Sequence, residues 1–247
     1  MKTSRALVSE QDGDGEVDMG TGSAPADTRM MRIVHGALRR DLERTRTVLS
    51  TEPHPQPGQG SAVGRHVVWL MEFLHAHHIG EDEGLWPLVR ERDPSTGPLL
   101  DSLDADHRRI TPAAVTVTDA ARRYAETASD QARVILLAAL DALTDVLVPH
   151  LEREVEQAMP VVSATLTQAE WHAWDQRYNV KSKSFTQLGM EGHWLLDGID
   201  PEGHRIVVAL VPPVPRFILL HGFARAYRRR LAQWWRPQDP ERGGAVR

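Results

Sequence analysis

The sequence predicts an all-α protein whose core consists of two helical hairpins. Three observations support this fold class. Apolar residues recur at steps of three and four along four segments, Pro/Gly-rich stretches separate some of these segments, and one segment repeats later in the chain. Such spacing is typical of helices that bury one face. Hydrophobic residues make up 41% of the 247 residues, which is enough for a packed core.

The four predicted helices follow one another between residues 28 and 161. The first covers about 28–49. The second starts near Ala62, after a Pro/Gly-rich loop, and either ends near Pro87 or continues beyond a kink there. The third carries a mostly apolar stripe from Leu100 to Val117 that includes His107. The fourth carries an apolar stripe that starts at Leu136 and ends with His150 and Glu154. Each of the last two contains an internal proline, Pro112 or Pro149, which predicts a local bend.

The second and fourth helices share a His-x3-Glu-x5-Pro pattern. The two copies, 73 residues apart (150 − 77 = 73), are His77, Glu81, Pro87 and His150, Glu154, Pro160. The apolar residues before each histidine keep this offset, and one more histidine, His35 or His107, lies one helix earlier in each half. Each hairpin is therefore predicted to supply one histidine from its first helix and a His-x3-Glu pair from its second.

The polar residues of the repeat stand where apolar core residues should continue. On a helix, residues four apart lie on one face, about 6 Å apart along the axis. Burying a carboxylate without a partner costs several kcal/mol, so converging carboxylates and histidines require a compensating cation. A pair of metal ions would meet this need, as in other four-helix bundles. Imidazole with carboxylate suits iron or manganese, and zinc is an alternative.

Six residues are the candidate metal ligands: His35, His77, Glu81, His107, His150 and Glu154. We interpret His35 with His77 as terminal ligands of one metal and the other two histidines as terminal ligands of the second. The glutamates would bridge the two metals. The sequence leaves the swapped pairing of the hairpins open. Exchangeable positions would remain for oxygen, peroxide, nitric oxide or a substrate.

Residues beside the candidate ligands receive structural interpretations. Five of them are predicted to be solvated or to act only behind the ligands: His75, His78, Asp82, Glu83 and Asp106. The first two flank His77 but point about 100° or more to either side of it around the helix. Three aromatic residues are interpreted as core packing: Trp69, Phe73 and Trp86.

The candidate ligand set resembles the hemerythrin-like (HHE cation-binding) domain family. The resemblance rests on His35, His107 and the two His-x3-Glu pairs, with their continuations EDEGLWP and EREVEQAMP, and covers roughly residues 28–161. It implies an up-down-up-down four-helix bundle with a non-haem centre of two iron ions, oxo- or hydroxo-bridged. The preference for iron over manganese or zinc comes from this resemblance.

The chain departs from the oxygen-carrying members of this family. Those are similar in plan but use five histidines, with a His-x3-His in the third helix and a His-x4-Asp in the fourth. Here Thr111 and Leu103 stand four residues to either side of His107, and Val155 stands five after His150. The pattern is more similar to bacterial iron-centre repair proteins and to actinobacterial hemerythrin-like proteins. A missing histidine opens a coordination position, which favours reactivity over oxygen carriage.

The segments outside the bundle have other characters. Residues 1–27 are polar, acidic and glycine-rich, and we expect a disordered tail. Residues 162–247 are expected to form a C-terminal extension. It should begin with a short helix capped by Thr167 and Glu170, continue as a Pro-rich, partly extended segment, and end with a basic amphipathic helix over 217–235.

Charge and composition limit the partners. The formal net charge is −5, which argues against general nucleic-acid binding, and the absence of cysteine excludes thiol nucleophiles and iron–sulfur clusters. The start of the chain lacks an apolar core of signal-peptide length, so we expect a cytoplasmic protein. The C-terminal basic helix is a candidate for peripheral membrane contact, although packing of its apolar side against the bundle is favoured.

Three functions remain open from the sequence. The leading hypothesis is a di-iron redox enzyme that reacts with O2, peroxide or NO. The second is a di-iron oxygenase that acts on an organic substrate in specialised metabolism, with the C-terminal extension as the roof of its pocket. The third is a non-enzymatic iron or oxygen sensor or carrier.

Overall fold

The computed structural model describes residues 23–211 and 213–235, most of which are helical. The prediction of an all-α protein is confirmed. Within the described ranges no β-strand forms, and an isolated antiparallel bridge joins Pro25 to Thr167.

Four long helical stretches surround the main core. They are α1 (Arg29–Ser50); α2 (Pro57–Gly80), a π-helical turn (Glu81–Leu85) and α3 (Trp86–Arg92); α4 (Gly97–Thr127); and α5 (Asp130–Arg153), a π-helical turn (Glu154–Ala158) and α6 (Met159–Thr165). Helix α2 packs against α4 and α1, and α5 packs against α4 and α1. The four stretches therefore enclose a common core. Their up-down-up-down order stays a prediction.

The second helix starts earlier and ends later than its apolar stripe suggests. It begins at Pro57, because a proline in the first helical turn has no backbone bond to lose. It also continues past Pro87, which lies in the first turn of α3 directly after the π turn. The sequence left open whether the helix ends or kinks at this proline, and the structure shows continuation through a π turn.

The two π turns occupy equivalent places in the repeat. Each begins at a glutamate and is followed by a proline at the second position of the next helix. Because proline lacks an N–H, the regular helical bond to the residue four positions earlier cannot form. The residue before each proline makes the π-type bond to the carbonyl five residues earlier. The Trp86 N–H donates to the carbonyl of Glu81, and the Met159 N–H donates to the carbonyl of Glu154. One-turn π-helices of this kind are frequent at functional sites.

Two apolar clusters fill the interior. The main cluster is formed by α1, α2, α4 and α5 with parts of α8 and α11, and includes Leu38, Leu70, Leu140 and Leu143. The end cluster lies around α3 and α6 and includes Leu85, Trp86, Leu103 and Val162. The stretch Asp130–Thr165 is long and apolar enough to cross a membrane by length and composition alone. Its leucines belong to the main cluster, as expected for a core helix.

The C-terminal region is helical rather than partly extended. It comprises α7 (Gln168–Asp175) with a π turn (Gln176–Val180), α8 (Phe185–Leu196), α9 (Pro201–Ala209), α10 (Pro213–Gly222) and α11 (Ala224–Trp235). The predicted capping box of Thr167 and Glu170 is confirmed. The expectation of an extended Pro-rich segment is wrong because its prolines begin helices instead of breaking them. The Asp200 side chain caps α9 by accepting from two backbone N–H groups.

The C-terminal helices pack back onto the bundle. Helices α8 and α9 contact α1, and α11 contacts α2. The apolar side of α11 is covered, since Tyr227 and Trp234 are buried in the main cluster, while Arg228 and its neighbours are exposed. The favoured interpretation of the basic helix is therefore confirmed. A membrane contact through its exposed arginines stays a prediction.

The N-terminal tail is only partly covered by the structure. Residues 1–22 lie outside the described residues, so the expected disorder there stays a prediction. Residues 24–27 belong to the fold: the Ala26 N–H donates to the Leu166 carbonyl at 3.0 Å, and the Gln168 N–H donates to the Ala24 carbonyl at 2.7 Å. The tail boundary at residue 27 is therefore wrong by a few residues, because these backbone groups pair with the turn before α7.

Gly64 marks the close approach of α2 and α4. A Cβ at this position would lie 2.7 Å from the Ala125 nitrogen and 2.8 Å from the Ala121 oxygen, both backbone atoms. We expect Gly64→Ala to lower the free energy of unfolding by ~1–3 kcal/mol, because the two helices must separate. Urea unfolding measures this. The control is exposed Gly36→Ala, whose Cβ would meet nothing within 4 Å and should stabilise by ~0.5–1 kcal/mol. Equal effects of the two substitutions would contradict the close approach.

Candidate metal centre

The six predicted ligands converge in one buried layer between the main and end clusters. They come from α1 (His35), α2 (His77), α4 (His107), α5 (His150) and the first residue of each π turn (Glu81 and Glu154). The most exposed of them, His77, is only 7% exposed. The helical period therefore identified residues that share one layer. Their role as ligands stays a prediction.

One pair of histidines comes from the first hairpin. The Nε2 atoms of His35 and His77 are 3.1 Å apart. Each lies near a different carboxylate: His77 Nε2 is 3.1 Å from Glu81 Oε1, and His35 Nε2 is 3.5 Å from Glu154 Oε2. These four side chains could share one metal ion.

The other pair comes from the second hairpin. The Nε2 atoms of His107 and His150 are 3.2 Å apart. His107 Nε2 is 3.6 Å from Glu81 Oε2, and His150 Nε2 is 3.5 Å from Glu154 Oε2. Each glutamate therefore lies between the two histidine pairs. This arrangement matches bridging carboxylates with one histidine pair per hairpin, rather than the swapped pairing.

The carboxylates of the layer have no protein donors. All four side-chain oxygens of Glu81 and Glu154 are buried without a hydrogen-bond partner. Two such groups side by side are costly unless a cation or proton compensates them. The donor set of imidazole nitrogens and carboxylate oxygens therefore fits metal ions of the iron, manganese or zinc type.

Burial sets the protonation states of the metal-free layer. It raises the pKa of Glu154 to about 8, and together with the neighbouring Glu154 charge it raises the pKa of Glu81 well above its usual value. Burial lowers the pKa of His35 and of His150 to about 3. His35 and His150 are thus neutral and ready to bind metal, whereas the glutamates must lose protons first.

His78 is a member of the layer that the sequence interpretation missed. It is 6% exposed, its Nε2 has no hydrogen-bond partner, and its ring stacks on His107 with centroids 4.0 Å apart. Ligand atoms of His78, His107 and His150 all lie within 4.8 Å of one another. The alternative that His78 is solvated is wrong because the residue is buried, and its role as a ligand or behind the ligands stays a prediction. Helix α2 contacts both α1 and α4, so consecutive histidines reach opposite sides of the layer. In the sequence, the consecutive pair His77 and His78 before Glu81 was the feature that could have indicated a second histidine in the layer.

Backbone and carboxylate groups orient two of the histidines from behind. His35 Nδ1 lies 3.2 Å from the Leu151 carbonyl, and His107 Nδ1 lies 2.6 Å from Asp82 Oδ1. A histidine that donates from Nδ1 keeps Nε2 free of a proton and directed at the metal. Asp82 is exposed as predicted, yet it contacts a candidate ligand.

Asp106 is the second residue whose predicted exposure is wrong. It is 3% exposed, pairs with Arg153, and places Oδ2 3.5 Å from His150 Nδ1. The sequence prediction failed because Asp106 lies on the α5 side of α4, where Arg153 compensates its charge.

Helix α7 and its π turn cover the π turn that begins at Glu81. The Trp174 indole N–H donates to the Gly80 carbonyl at 2.7 Å. A Cβ on Gly84 would collide with the side chains of Tyr178 and Trp174 in their present positions, so glycine allows both rings to pack directly on this turn. The C-terminal region thus holds the backbone that carries Glu81.

The buried glutamates predict a pH dependence for the metal-free protein. Its free energy of unfolding should fall between pH 6.5 and 8, because folded Glu154 (pKa about 8) holds a proton that the unfolded chain releases. His35 and His150 have the opposite effect on the free energy of unfolding, because the unfolded histidines bind protons that the folded ones do not. This effect operates below pH 6.5, the usual histidine pKa. Urea unfolding should show a loss on the order of 2 kcal/mol. Metal-loaded protein, whose glutamates are already ionised, is the control and should lack this loss. An equal loss in both forms would exclude the glutamates as its cause.

The placement of His78 predicts a difference between neighbouring histidines. His78→Ala should reduce bound metal from about two ions per chain toward one, because it removes one of three nitrogens on that side. His75→Ala changes an exposed residue one turn of helix away and should leave metal content unchanged. Elemental analysis after dialysis measures both variants. Normal metal content in His78→Ala would remove His78 from the ligand set.

The comparisons with known proteins agree with this architecture. The sequence profile of the Hemerythrin HHE cation binding domain matches residues 26–162, more than half of the chain. No curated protein and no solved structure matches the chain. The matched residues include the whole buried layer and the two π turns that begin at Glu81 and Glu154. The chain therefore belongs to the hemerythrin HHE cation-binding domain family.

Proposed function

We propose that this chain binds two iron ions inside an up-down-up-down four-helix bundle and acts as a redox enzyme on peroxide or O2. One observation carries the proposal: Glu81 and Glu154 each lie between two histidine groups, with all their side-chain oxygens buried and without donors. A pair of cations bridged by the two carboxylates would satisfy every one of these atoms.

The donor set supports iron among the candidate metals. Nitrogen and carboxylate ligands without thiolate suit iron, manganese and zinc, and the family adds weight to iron. The carboxylates would supply negative charge that stabilises the ferric state, and the neutral histidines would complete the coordination. When bound, a pair of iron ions supplies reversible one-electron oxidation at each ion.

The two sides of the layer offer different numbers of nitrogens. His78, His107 and His150 lie on one side, and His35 and His77 lie on the other. The side with two histidines would keep an exchangeable position for a small ligand. Because the whole layer is buried, this ligand must be small, such as peroxide, O2 or NO. Phe73 stacks beside His77 and helps to exclude bulk water from that side. We propose a cytoplasmic location with these small molecules as partners.

Reversible oxygen binding is a second candidate function. Its support is His78, which brings the histidines of the layer to five, the number that oxygen-carrying hemerythrins use. The argument against oxygen carriage from a missing histidine is therefore weaker than the sequence suggested. A redox enzyme would consume the bound oxidant catalytically, whereas a carrier would release oxygen unchanged.

The test is the reaction of iron-loaded protein with O2 and with peroxide. We expect about two irons per chain, a near-ultraviolet band that changes when peroxide is added, and catalytic peroxide consumption. Glu81→Ala should abolish iron binding or lower the consumption about a hundredfold or more, because a bridging ligand is lost. Exposed Glu83→Ala, two residues along the same π turn, should match the unaltered protein.

The outcomes separate the candidates. Stoichiometric, reversible oxygen binding without peroxide consumption would establish the carrier instead of the enzyme. One zinc per chain, or no response to either oxidant, would exclude both. Equal effects of Glu81→Ala and Glu83→Ala would overturn the assignment of the bridging residue.

A further inference from the structure

A row of aromatic rings leads from the candidate metal layer to the C-terminal helices. The Phe73 ring stacks beside His77 with centroids 6.4 Å apart, and it meets the Trp194 ring edge-to-face at 4.7 Å. Trp69 lies 5.3 Å from Trp194. Phe73 and Trp69 lie in the bundle, whereas Trp194 comes from α8 and was not placed by the sequence interpretation. The row therefore forms only when the C-terminal region packs on the bundle.

Trp194 has a built-in proton acceptor. Its indole N–H donates to Asp41 Oδ2 at 3.0 Å, and the same oxygen lies 2.8 Å from His66 Nε2. Asp41 is fully buried, and its other oxygen accepts from Arg40 at 2.9 Å. Burial alone would raise the pKa of Asp41, but the hydrogen bond from His66 and the charge of Arg40 outweigh it and hold the pKa below its usual value. The carboxylate is thus ionised, and its Oδ2 is placed to accept the N–H proton once the indole has lost an electron.

A cleft of about 440 Å³ opens beside Trp194. Its aromatic wall consists of Trp69, Trp194, Tyr227 and Trp234. Exposed Gln187 and Arg230 lie at its rim. The aromatic wall can stack on a planar aromatic ring, and Gln187 and Arg230 can form hydrogen bonds with hydroxyl groups on that ring.

We propose that Trp194 is a one-electron relay between the metal centre and a hydroquinone-type donor that binds in this cleft. The inference rests on the proposed reaction with peroxide and names the reductant of that reaction. Trp194 suits this role because its indole is readily oxidised, lies one ring from His77, and forms part of the cleft wall.

Electrons and protons balance over two relay steps. In each step the Trp194 indole loses one electron to the oxidised metal centre, and its N–H proton moves to Asp41. The donor then returns one electron to the indole, Asp41 returns the proton, and the donor releases one proton of its own. Two steps convert one hydroquinone to quinone. The two electrons and two protons reduce one peroxide molecule to two water molecules.

The first experiment follows quinone formation by iron-loaded protein supplied with peroxide and hydroquinone. Trp194→Phe should slow the rate about tenfold or more, because phenylalanine fills the space but is not readily oxidised. Trp194→Tyr, which restores an oxidisable ring, should recover part of the rate. Trp86→Phe is the matched control: Trp86 is also 1% exposed, but it packs in the end cluster without a partner for its indole nitrogen. It should retain the full rate.

The second experiment uses metal-free protein and therefore does not depend on the iron centre. Flash photo-oxidation with a ruthenium tris-bipyridine complex should generate a neutral tryptophan radical detectable by electron paramagnetic resonance. The component of the signal from the indole that donates to Asp41 should survive in Trp86→Phe and be lost in Trp194→Phe, whatever the other tryptophans contribute. If neither Trp194 variant folds, the unaltered protein still decides, since absence of a neutral tryptophan radical would overturn the relay.

The results distinguish failure of the relay from failure of the proposed function. If the protein holds no iron or ignores peroxide, the proposed function fails, whatever the metal-free radical shows. If iron is bound and peroxide is consumed, but Trp194→Phe oxidises hydroquinone at the normal rate, the relay is wrong. Dithionite, a small inorganic reductant, should reduce the iron centre equally in all variants, and a slower reduction in Trp194→Phe would instead indicate a damaged centre.

Discussion

The burial of two carboxylates without protein donors is the constraint on which the rest of the structure depends. Glu81 and Glu154, together with the histidines of the layer, lie between the two apolar clusters. The uncompensated pair would cost several kcal/mol, so the arrangement is stable only with protons or cations in the layer. Proton binding and metal binding therefore compete for the same atoms. Folding and metal binding would therefore be linked through these two side chains.

The π turns explain how the bundle can present its glutamates without losing its packing. Each π turn begins with the glutamate whose carboxylate lies in the buried layer. The proline after the turn has no N–H to donate to the helical backbone. The helix then resumes and contributes to the end cluster. On the α2 side, Trp174 binds the Gly80 carbonyl at the edge of the turn, so the C-terminal region supports the layer from outside the bundle.

Periodicity predicted the layer because His35, His77 and the other four candidates continue apolar stripes at helical spacing. It missed His78 because the analysis of a single apolar stripe allows only one buried face per helix. Helix α2 has neighbours on two sides, so it buries residues on more than one face. It missed the burial of Asp106 because the compensating Arg153 belongs to another helix. The C-terminal helices were misjudged because a proline signals a helix start as well as a break. Their packing depends on contacts such as that of Trp194 with Asp41, which no local pattern reveals.

The internal repeat is broken at one informative position. The equivalent of His78 in the second copy is Leu151 (78 + 73 = 151), whose side chain is apolar and whose carbonyl lies against His35. This difference between the two copies places an additional histidine on one side of the layer only. Inequivalent ions would have different potentials and different affinities for exogenous ligands, so a small molecule would bind to one ion in preference to the other. In the proposed redox reaction, two inequivalent ions would give electron transfer through the layer a preferred direction.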